Sequence, residues 1–137
     1  MALGEQIAEL KVKITGQRVL NVEGILKMET SFKMEGNFRG IQCTELGTYS
    51  SMLDGGVLHG EGQGIVTAKD GQGMVSWTGQ GVGRFTGPGK ASFRGAIYLQ
   101  TPSSERGKLS NLNNIVGVFE YETDEMGYCS TKSWEWK

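Results

Sequence analysis

Hydrophobic and polar residues alternate along most of the chain with a period of two. From Leu20 to Phe38 the even positions are mainly apolar, and the odd positions include Glu23, Lys27, Glu29, Lys33 and Glu35. Successive side chains of a strand point to opposite faces, so this alternation is typical of strands that bury one face. It predicts either one long strand here or two strands that share a phase. Helical periodicity is almost absent, which indicates an all-β protein.

Three dipeptides predict tight turns between these strands. They are Arg39-Gly40, Asp54-Gly55 and Asp70-Gly71. The two Asp-Gly pairs are strong hairpin signals, because both central residues of a type I′ turn need a positive φ. A two-residue turn also fixes the register of the hairpin that it closes.

The register that follows from the three turns gives one consistent apolar face across four strands. It pairs Met34 with Glu45, Glu45 with Gly64, and Gly64 with Trp77. The predicted apolar face carries Leu26, Met28, Phe32, Met34, Phe38, Ile41, Cys43, Tyr49, Leu58, Val66, Val75, Trp77 and Phe85. The opposite face carries His59, Glu61, Gln63, Thr67, Lys69, Gln72, Ser76, Thr78, Gln80 and Arg84. Agreement between turn chemistry and side-chain pattern supports this part of the fold most strongly.

The second half of the chain continues the meander. A five-residue loop over 86–90 keeps Phe93 and Leu99 on the apolar face, whereas a four-residue loop would bury Arg94 there. Residues 101–114 are polar and irregular, and we expect a surface loop. Two strands follow, over about 114–123 and 128–137, and their mutual register stays open.

The pattern as a whole predicts about eight antiparallel strands in a single domain over residues 1–137. Hairpins between sequence neighbours favour closure into an up-and-down β-barrel, because closure removes the exposed sheet edges. A β-sandwich is the alternative.

Two segments carry a resemblance to known proteins: TYSSMLDGGVLHGEGQG at 48–64 and GVGRFTGPGKASFRGAI at 81–97. In glycine pattern and strand length the chain resembles small uncharacterised bacterial and archaeal proteins that look like the allene oxide cyclase barrel, a calycin-like fold. The resemblance implies a compact barrel with a lumen, often in a homo-oligomer. Fold relatives include a plant cyclase of an oxidised fatty acid and bacterial cyclases of polyketide-like substrates. None of their catalytic residues matches a position here, and fold analogy alone does not transfer their chemistry.

Composition excludes several classes of function. The net charge is -1 and there is no basic stripe, which argues against nucleic-acid binding. No apolar run reaches about 20 residues and the N-terminus lacks the pattern of a signal peptide, so we expect a cytoplasmic protein without membrane contact. One histidine and two distant cysteines, Cys43 and Cys129, predict no metal site and no cofactor. The cysteines fit two free thiols, although a disulfide is possible.

The glycines of GEGQG and GQGVG do not form a nucleotide loop. Such a loop lies between a strand and a helix, whereas these glycines alternate within strands and no helix follows. The six at positions 60, 62, 64, 79, 81 and 83 are expected on one face. Glycine inside a strand is unfavourable, so we expect them to serve either strong strand coiling or space for a ring or ligand.

Two residues of the predicted apolar face carry candidate catalytic chemistry. Glu45 in an apolar lumen would have a raised pKa and would suit general acid–base catalysis. The alternative is that Glu45 lies near a barrel mouth or in a bulge that turns it outward. Tyr49 would place a hydroxyl in the same cavity, although the pattern favours packing of its ring against a glycine across the pair.

The remaining candidates line the lumen or lie outside it. Predicted ligand contacts are Phe32, Met34, Trp77, Phe85 and Phe93. On the outer face, His59, Glu61, Gln80, Arg84 and Arg94 gather, which suits a solvated or oligomer-facing patch better than an acid–base site. Trp134 and Trp136 share one face and suit either a closing strand anchored in the core or an aromatic patch for a neighbouring subunit.

Three functions are compatible with these features. The first is a binding protein whose lumen takes an apolar or amphipathic small molecule. The second is a cofactor-independent isomerase or cyclase that uses Glu45 or Tyr49. The third is a barrel filled by its own side chains that acts through self-association, and fold alone does not choose between them.

Overall fold

The computed structural model describes residues 3–102, 104, 106–126 and 128–137. Its eight strands are β1 (Leu3–Asn21), β2 (Leu26–Phe38), β3 (Ile41–Asp54), β4 (Val57–Ala68), β5 (Met74–Gly87), β6 (Lys90–Gln100), β7 (Ile115–Thr123) and β8 (Tyr128–Trp136). Each pairs antiparallel with its sequence neighbours, and β8 pairs with β1. The closed up-and-down barrel predicted from the alternation is confirmed, and the sandwich alternative is wrong.

Two of the three predicted turns have the predicted register. Arg39 and Gly40 both have positive φ, and Met34 pairs with Glu45 across β2 and β3. After the turn at Asp70-Gly71, Gly64 pairs with Trp77. The register that the five-residue loop predicts between β5 and β6 is also confirmed, since Phe85 pairs with Ala91, although the strands continue past a register shift to a pair of Gly87 with Lys90.

The turn predicted at Asp54-Gly55 lies one residue later in the structure. The central residues are Gly55 and Gly56, with φ of 58° and 83°, so Asp54 pairs with Val57. Glu45 therefore faces Val66 across the pair and not Gly64. The pairing moves by two residues, and because side chains alternate with a period of two, every residue keeps its predicted face.

The stretch from Leu20 to Phe38 is divided between two strands with a turn over 22–25. Full burial of the predicted apolar face begins only at Thr30, since Leu20 and Leu26 are each 40 % exposed while Thr30 and Phe32 are buried. The β1–β2 connection lies at what we call the upper end of the barrel. The β3–β4, β5–β6 and β7–β8 connections lie there too, and the other three connections lie at the lower end.

The segment expected as a surface loop closes the lower end. It contains a short 3-10 helix, Gly107–Leu112, whose Leu109 and Leu112 are both fully buried in the core. The helix is held to the β4–β5 connection by a backbone hydrogen bond of 2.7 Å from Lys108 N to Gln72 O. These two leucines therefore extend the hydrophobic core at the lower end of the barrel.

The C-terminal tryptophans do not enter the core. On β8 the residues that turn inward are Cys129, Thr131 and Ser133, so Trp134 and Trp136 lie on the outer face. Trp136 is 53 % exposed. The strand does close the barrel, but through its backbone pairing with β1 and its small inward residues. Among the described residues, no helix has both the length and the apolar character needed to cross a membrane.

Candidate functional site

The lumen contains a cavity of about 100 Å³ with a mainly apolar wall. All eight strands contribute to it. Its apolar wall includes Leu10, Phe32, Met34, Phe38, Trp77, Phe93, Ile97, Leu99 and Phe119. Polar contributions from the inner face come from Glu45, Tyr49, Tyr121, Thr131 and Ser133, and the outer-face residues Glu61 and Gln80 also border the cavity. The barrel is therefore not completely filled by its own side chains.

Glycines of β4 and β5 create this space. Gly60, Gly62, Gly79 and Gly81 line the cavity, and each pairs with another across the two strands. At other glycines of these two strands, an aromatic ring occupies the space that a side chain would otherwise take. The Trp77 indole lies against Gly64, and the ring of Phe93 would be 2.6 Å from a Cβ added at Gly83. The glycines thus admit aromatic rings and leave an unfilled volume between them.

Glu45 places a buried carboxyl group on the wall of this cavity. The inward face of β3 places it there, and only 4 % of the residue is exposed. The indole Nε1 of Trp77 donates a hydrogen bond of 2.8 Å to Glu45 Oε2. Burial raises the pKa of the Glu45 carboxyl from 4.5 to about 8, and the Trp77 bond opposes this only in part. The alternative that Glu45 lies near a mouth or turns outward in a bulge is wrong.

Three aromatic rings form a layer across the lumen on the upper side of Glu45. Tyr49 on β3, Phe93 on β6 and Tyr121 on β7 contact one another, with ring centroids 5.8 to 6.3 Å apart. Phe32 extends the cluster, at 5.8 Å from Tyr49 and stacked on Trp77 at 6.3 Å. We call Tyr49, Phe93 and Tyr121 the aromatic layer.

Two hydroxyls of the aromatic layer face each other. The Oη atoms of Tyr49 and Tyr121 are 3.4 Å apart, and Thr30 lies beside them with 2 % exposure. Burial raises the pKa of both tyrosines above the usual value. Both phenols are therefore neutral at physiological pH.

Sequence reasoning did not identify Tyr121. The sequence does indicate that its side chain points inward, because Phe119, Tyr121 and Thr123 occupy alternate positions in the last hairpin. Its contact with Tyr49 across the lumen could not be predicted, because the register of that hairpin was open. The structure pairs Tyr121 with Thr131 on β8 and Phe93 on β6.

Four of the five predicted ligand contacts lie on the cavity wall. They are Phe32, Met34, Trp77 and Phe93. Phe85 does not, and it is 56 % exposed. It lies near the upper end of β5, next to a register shift between Phe85 and Gly87, so its side chain is beyond the enclosed part of the lumen.

Four of the five polar residues predicted to gather on the outer face lie together. His59, Glu61, Gln80 and Arg94 border one open groove, and Arg84 lies outside it. Arg94 is already paired, since its Nη1 is 2.8 Å from Glu122 Oε1 and its Nε is 3.8 Å from Glu120 Oε1. The groove is solvated and its one guanidinium is neutralised, which supports the interpretation as an ordinary polar surface.

The two cysteines are separate buried thiols. Cys43 and Cys129 are free, and each is at most 7 % exposed. Burial raises the pKa of the Cys43 thiol to about 11 and also raises the pKa of Cys129. Within the described part of the chain, no group of three or more His, Cys, Asp or Glu residues could hold a metal ion.

Comparison with known proteins shows the fold and nothing finer. No protein-family model and no curated protein matches the chain. A protein of unknown function from Clostridium acetobutylicum is similar in structure, with a TM-score of 0.80, 12% identity and 100% of each chain covered. A conserved protein of unknown function from Rhodopseudomonas palustris is similar too, with a TM-score of 0.76, 12% identity and 98% of each chain covered. The chain thus shares its architecture over its whole length with uncharacterised bacterial proteins.

Proposed function

We propose that the protein binds a small, mainly apolar molecule in its lumen, with Glu45 as the polar contact. The observation that supports this most directly is the buried Glu45 carboxyl on the wall of an apolar cavity. A buried carboxyl is unfavourable for stability unless something pairs with it. A few polar groups in an apolar wall are also the usual make-up of small-molecule sites.

The size of the cavity limits the ligand. A volume of about 100 Å³ is well below the roughly 300–1,000 Å³ of pockets for drug-sized molecules. It is closer to the engineered apolar cavity of about 150 Å³ that takes benzene. The ligand in this proposal is therefore a single ring or a short chain. The resemblance of segments 48–64 and 81–97 to small uncharacterised proteins that look like the allene oxide cyclase barrel fits a lumen that receives apolar molecules.

Toluene is the appropriate first probe, because it matches the cavity in size and carries no polar group. Binding is measured by titration calorimetry and by the NMR shift of the Trp77 indole N–H. In the Gly60→Val variant the added side chain points into the lumen, where a Cβ meets only ordinary contacts, and we expect binding to be lost. The matched control is Gln63→Val, which places valine on the outer face of the same strand. A folded wild type that binds neither toluene nor its carbonyl analogue benzaldehyde would contradict the proposal.

A second candidate is a cofactor-independent isomerase or cyclase. It is favoured by the pKa of about 8 at Glu45, because a general acid or base works best with a pKa near the working pH. Tyr49 would assist through its hydroxyl. Cyclohexanone in D2O tests this candidate, since an acid–base site exchanges the protons next to the carbonyl. We expect faster exchange with wild type than with Glu45→Gln, and equal rates would remove this candidate.

We also propose that copies of the chain associate in the cytoplasm. An apolar strip on the outer face supports this, with Tyr98 paired to Val116, Val118 paired to Trp134, and Leu3 paired to Trp136. Light scattering on wild type and Trp134→Glu tests it, with Ser130→Glu on the same face of β8 as control. Monomeric wild type at high concentration would contradict self-association.

A further inference from the structure

We propose that the lumen selects a neutral ligand that carries a hydrogen-bond acceptor of the carbonyl type, to which the Glu45 carboxyl donates. This inference rests on the proposed function and specifies its ligand class. It follows from three features of the cavity: the hydrogen bond from Trp77 to one carboxyl oxygen, a described lining without a cationic side chain, and a carboxyl O–H that has no acceptor.

Trp77 distinguishes the two oxygens of the carboxyl. Its Nε1–H is a donor only, so Glu45 Oε2, at 2.8 Å, acts as the acceptor. Among the described residues, no group forms a hydrogen bond with Oε1. When the carboxyl is protonated, the proton therefore belongs on Oε1. This orientation leaves an O–H donor available to the cavity.

The wall offers no cation to an ionised Glu45. The described residues that line the cavity include no lysine, arginine or histidine. Glu61 also borders the cavity, but it lies on the exposed outer face of β4. The other titratable groups that face the lumen or pack against Glu45 are acids too: Tyr49, Tyr121, Cys43 and Cys129. Burial raises the pKa of each, so all four are neutral near pH 7. Glu45 shares this state, because its own pKa is about 8.

A neutral lumen with one free acid proton discriminates strongly between ligands. An acceptor such as a carbonyl oxygen satisfies the O–H, whereas a pure hydrocarbon leaves the buried donor without a partner. A carboxylate ligand would bring a charge into a wall that has no counter-charge. An ammonium ligand would require Glu45 to ionise. Sites that need a hydrogen-bond partner reject analogues that lack one much better than apolar pockets reject a size change.

Four molecules of one shape separate these cases: toluene, benzaldehyde, benzylammonium and benzoate. At pH 7 we expect benzaldehyde to bind roughly five- to tenfold more tightly than toluene, the range of one net hydrogen bond. We expect neither ion to compete. Above pH 8 the preference for benzaldehyde over toluene should fall, because Glu45 ionises and loses its donor.

Variants of Glu45 test the role of the donor. Glu45→Gln keeps an acceptor for Trp77 and an N–H donor for the cavity, so the ratio of benzaldehyde to toluene affinity should persist and become independent of pH. In Glu45→Met the ratio should fall to about one. Glu35→Gln, on the exposed face of β2, is the control and should keep the wild-type ratio and its pH dependence.

The outcomes also separate this inference from the proposed function. Binding of toluene without any preference for benzaldehyde, or tighter binding of benzylammonium, would overturn the ligand class and leave lumen binding intact. Binding of none of the four would overturn both. A preference that survives in Glu45→Met would overturn the assignment of the donor to Glu45.

Discussion

Trp77 reaches across an entire strand to bind Glu45. The two residues lie on β5 and β3, and their hydrogen bond of 2.8 Å passes over β4. It does so at Gly64, where a Cβ would collide with the indole. The hydrogen bond between Trp77 and Glu45 is therefore possible only because residue 64 has no side chain.

Gly64→Ala should displace the indole and weaken this contact. The new methyl group overpacks the lumen, and we expect a loss of about 1–3 kcal/mol in the free energy of unfolding. The control is Gly16→Ala, because a Cβ there meets nothing within 4 Å and the position lies in an exposed part of β1. That variant should be neutral or slightly more stable. Urea denaturation followed by circular dichroism measures both, and equal stabilities would contradict the packing role of Gly64.

Trp77→Phe should raise the pKa of Glu45 above about 8. The substitution keeps a ring but removes the one hydrogen bond that lowers this pKa. Carbon NMR of the Glu45 carboxyl across the pH range measures the change. Trp134→Phe alters an outer-face tryptophan and should leave the titration of Glu45 as in wild type. A pKa that is unchanged or lower in Trp77→Phe would show that the bond does not stabilise the carboxylate.

Stability should fall as pH rises between about 4.5 and 8. Glu45 has a folded-state pKa of about 8 and an ordinary value of 4.5, so in this window the folded protein holds a proton that the unfolded chain has released. The stabilisation is complete below pH 4.5 and is lost by up to about 1.4 kcal/mol per pH unit until the pH passes 8.

The same measurement on Glu45→Gln isolates this contribution. Glutamine does not titrate, so the difference in unfolding free energy between variant and wild type should change steadily across the window. A constant difference from pH 5 to 8 would show that Glu45 ionises normally in the folded protein.

Much of the barrel could be predicted from the sequence, because turn chemistry and alternation report on the same register. Arg39-Gly40 closes its hairpin in the predicted register. Asp54-Gly55-Gly56 could not be resolved, since either pair can adopt positive φ and the two registers bury the same face. For that reason the inward position of Glu45 was predicted correctly, whereas its partner on β4 is Val66 and not the predicted Gly64.

The closure of the lower end was less accessible to sequence reasoning. Leu109 and Leu112 lie three residues apart in a polar segment, which is the spacing of one 3-10 turn, and that spacing was the available signal. Whether such a turn folds over the barrel depends on contacts with a distant connection. Gly107 and Gly73 make this approach possible, since a Cβ on either would collide with backbone of the other segment.

Both cysteines should resist modification in the folded protein. Cys43 and Cys129 are buried, and their raised pKa values leave little thiolate. We expect an Ellman's reagent assay to detect neither thiol in native conditions and both in guanidinium. A Ser130→Cys variant, whose thiol would lie at an exposed position of β8, should react at once. Rapid reaction of the native wild type would contradict the packing of these residues.

Leu109 and Leu112 are buried at the lower end of the barrel, and the aromatic layer of Tyr49, Phe93 and Tyr121 crosses the lumen above Glu45. Under the proposed function, a ligand in the lumen would have to pass these side chains to leave, so its residence time would depend on ring rotation and strand separation as well as on the strength of its contacts. Affinity and exchange rate are then set by different residues. A tightly sealed occupant would survive dilution and chromatography, and native mass spectrometry of freshly isolated protein would reveal its mass.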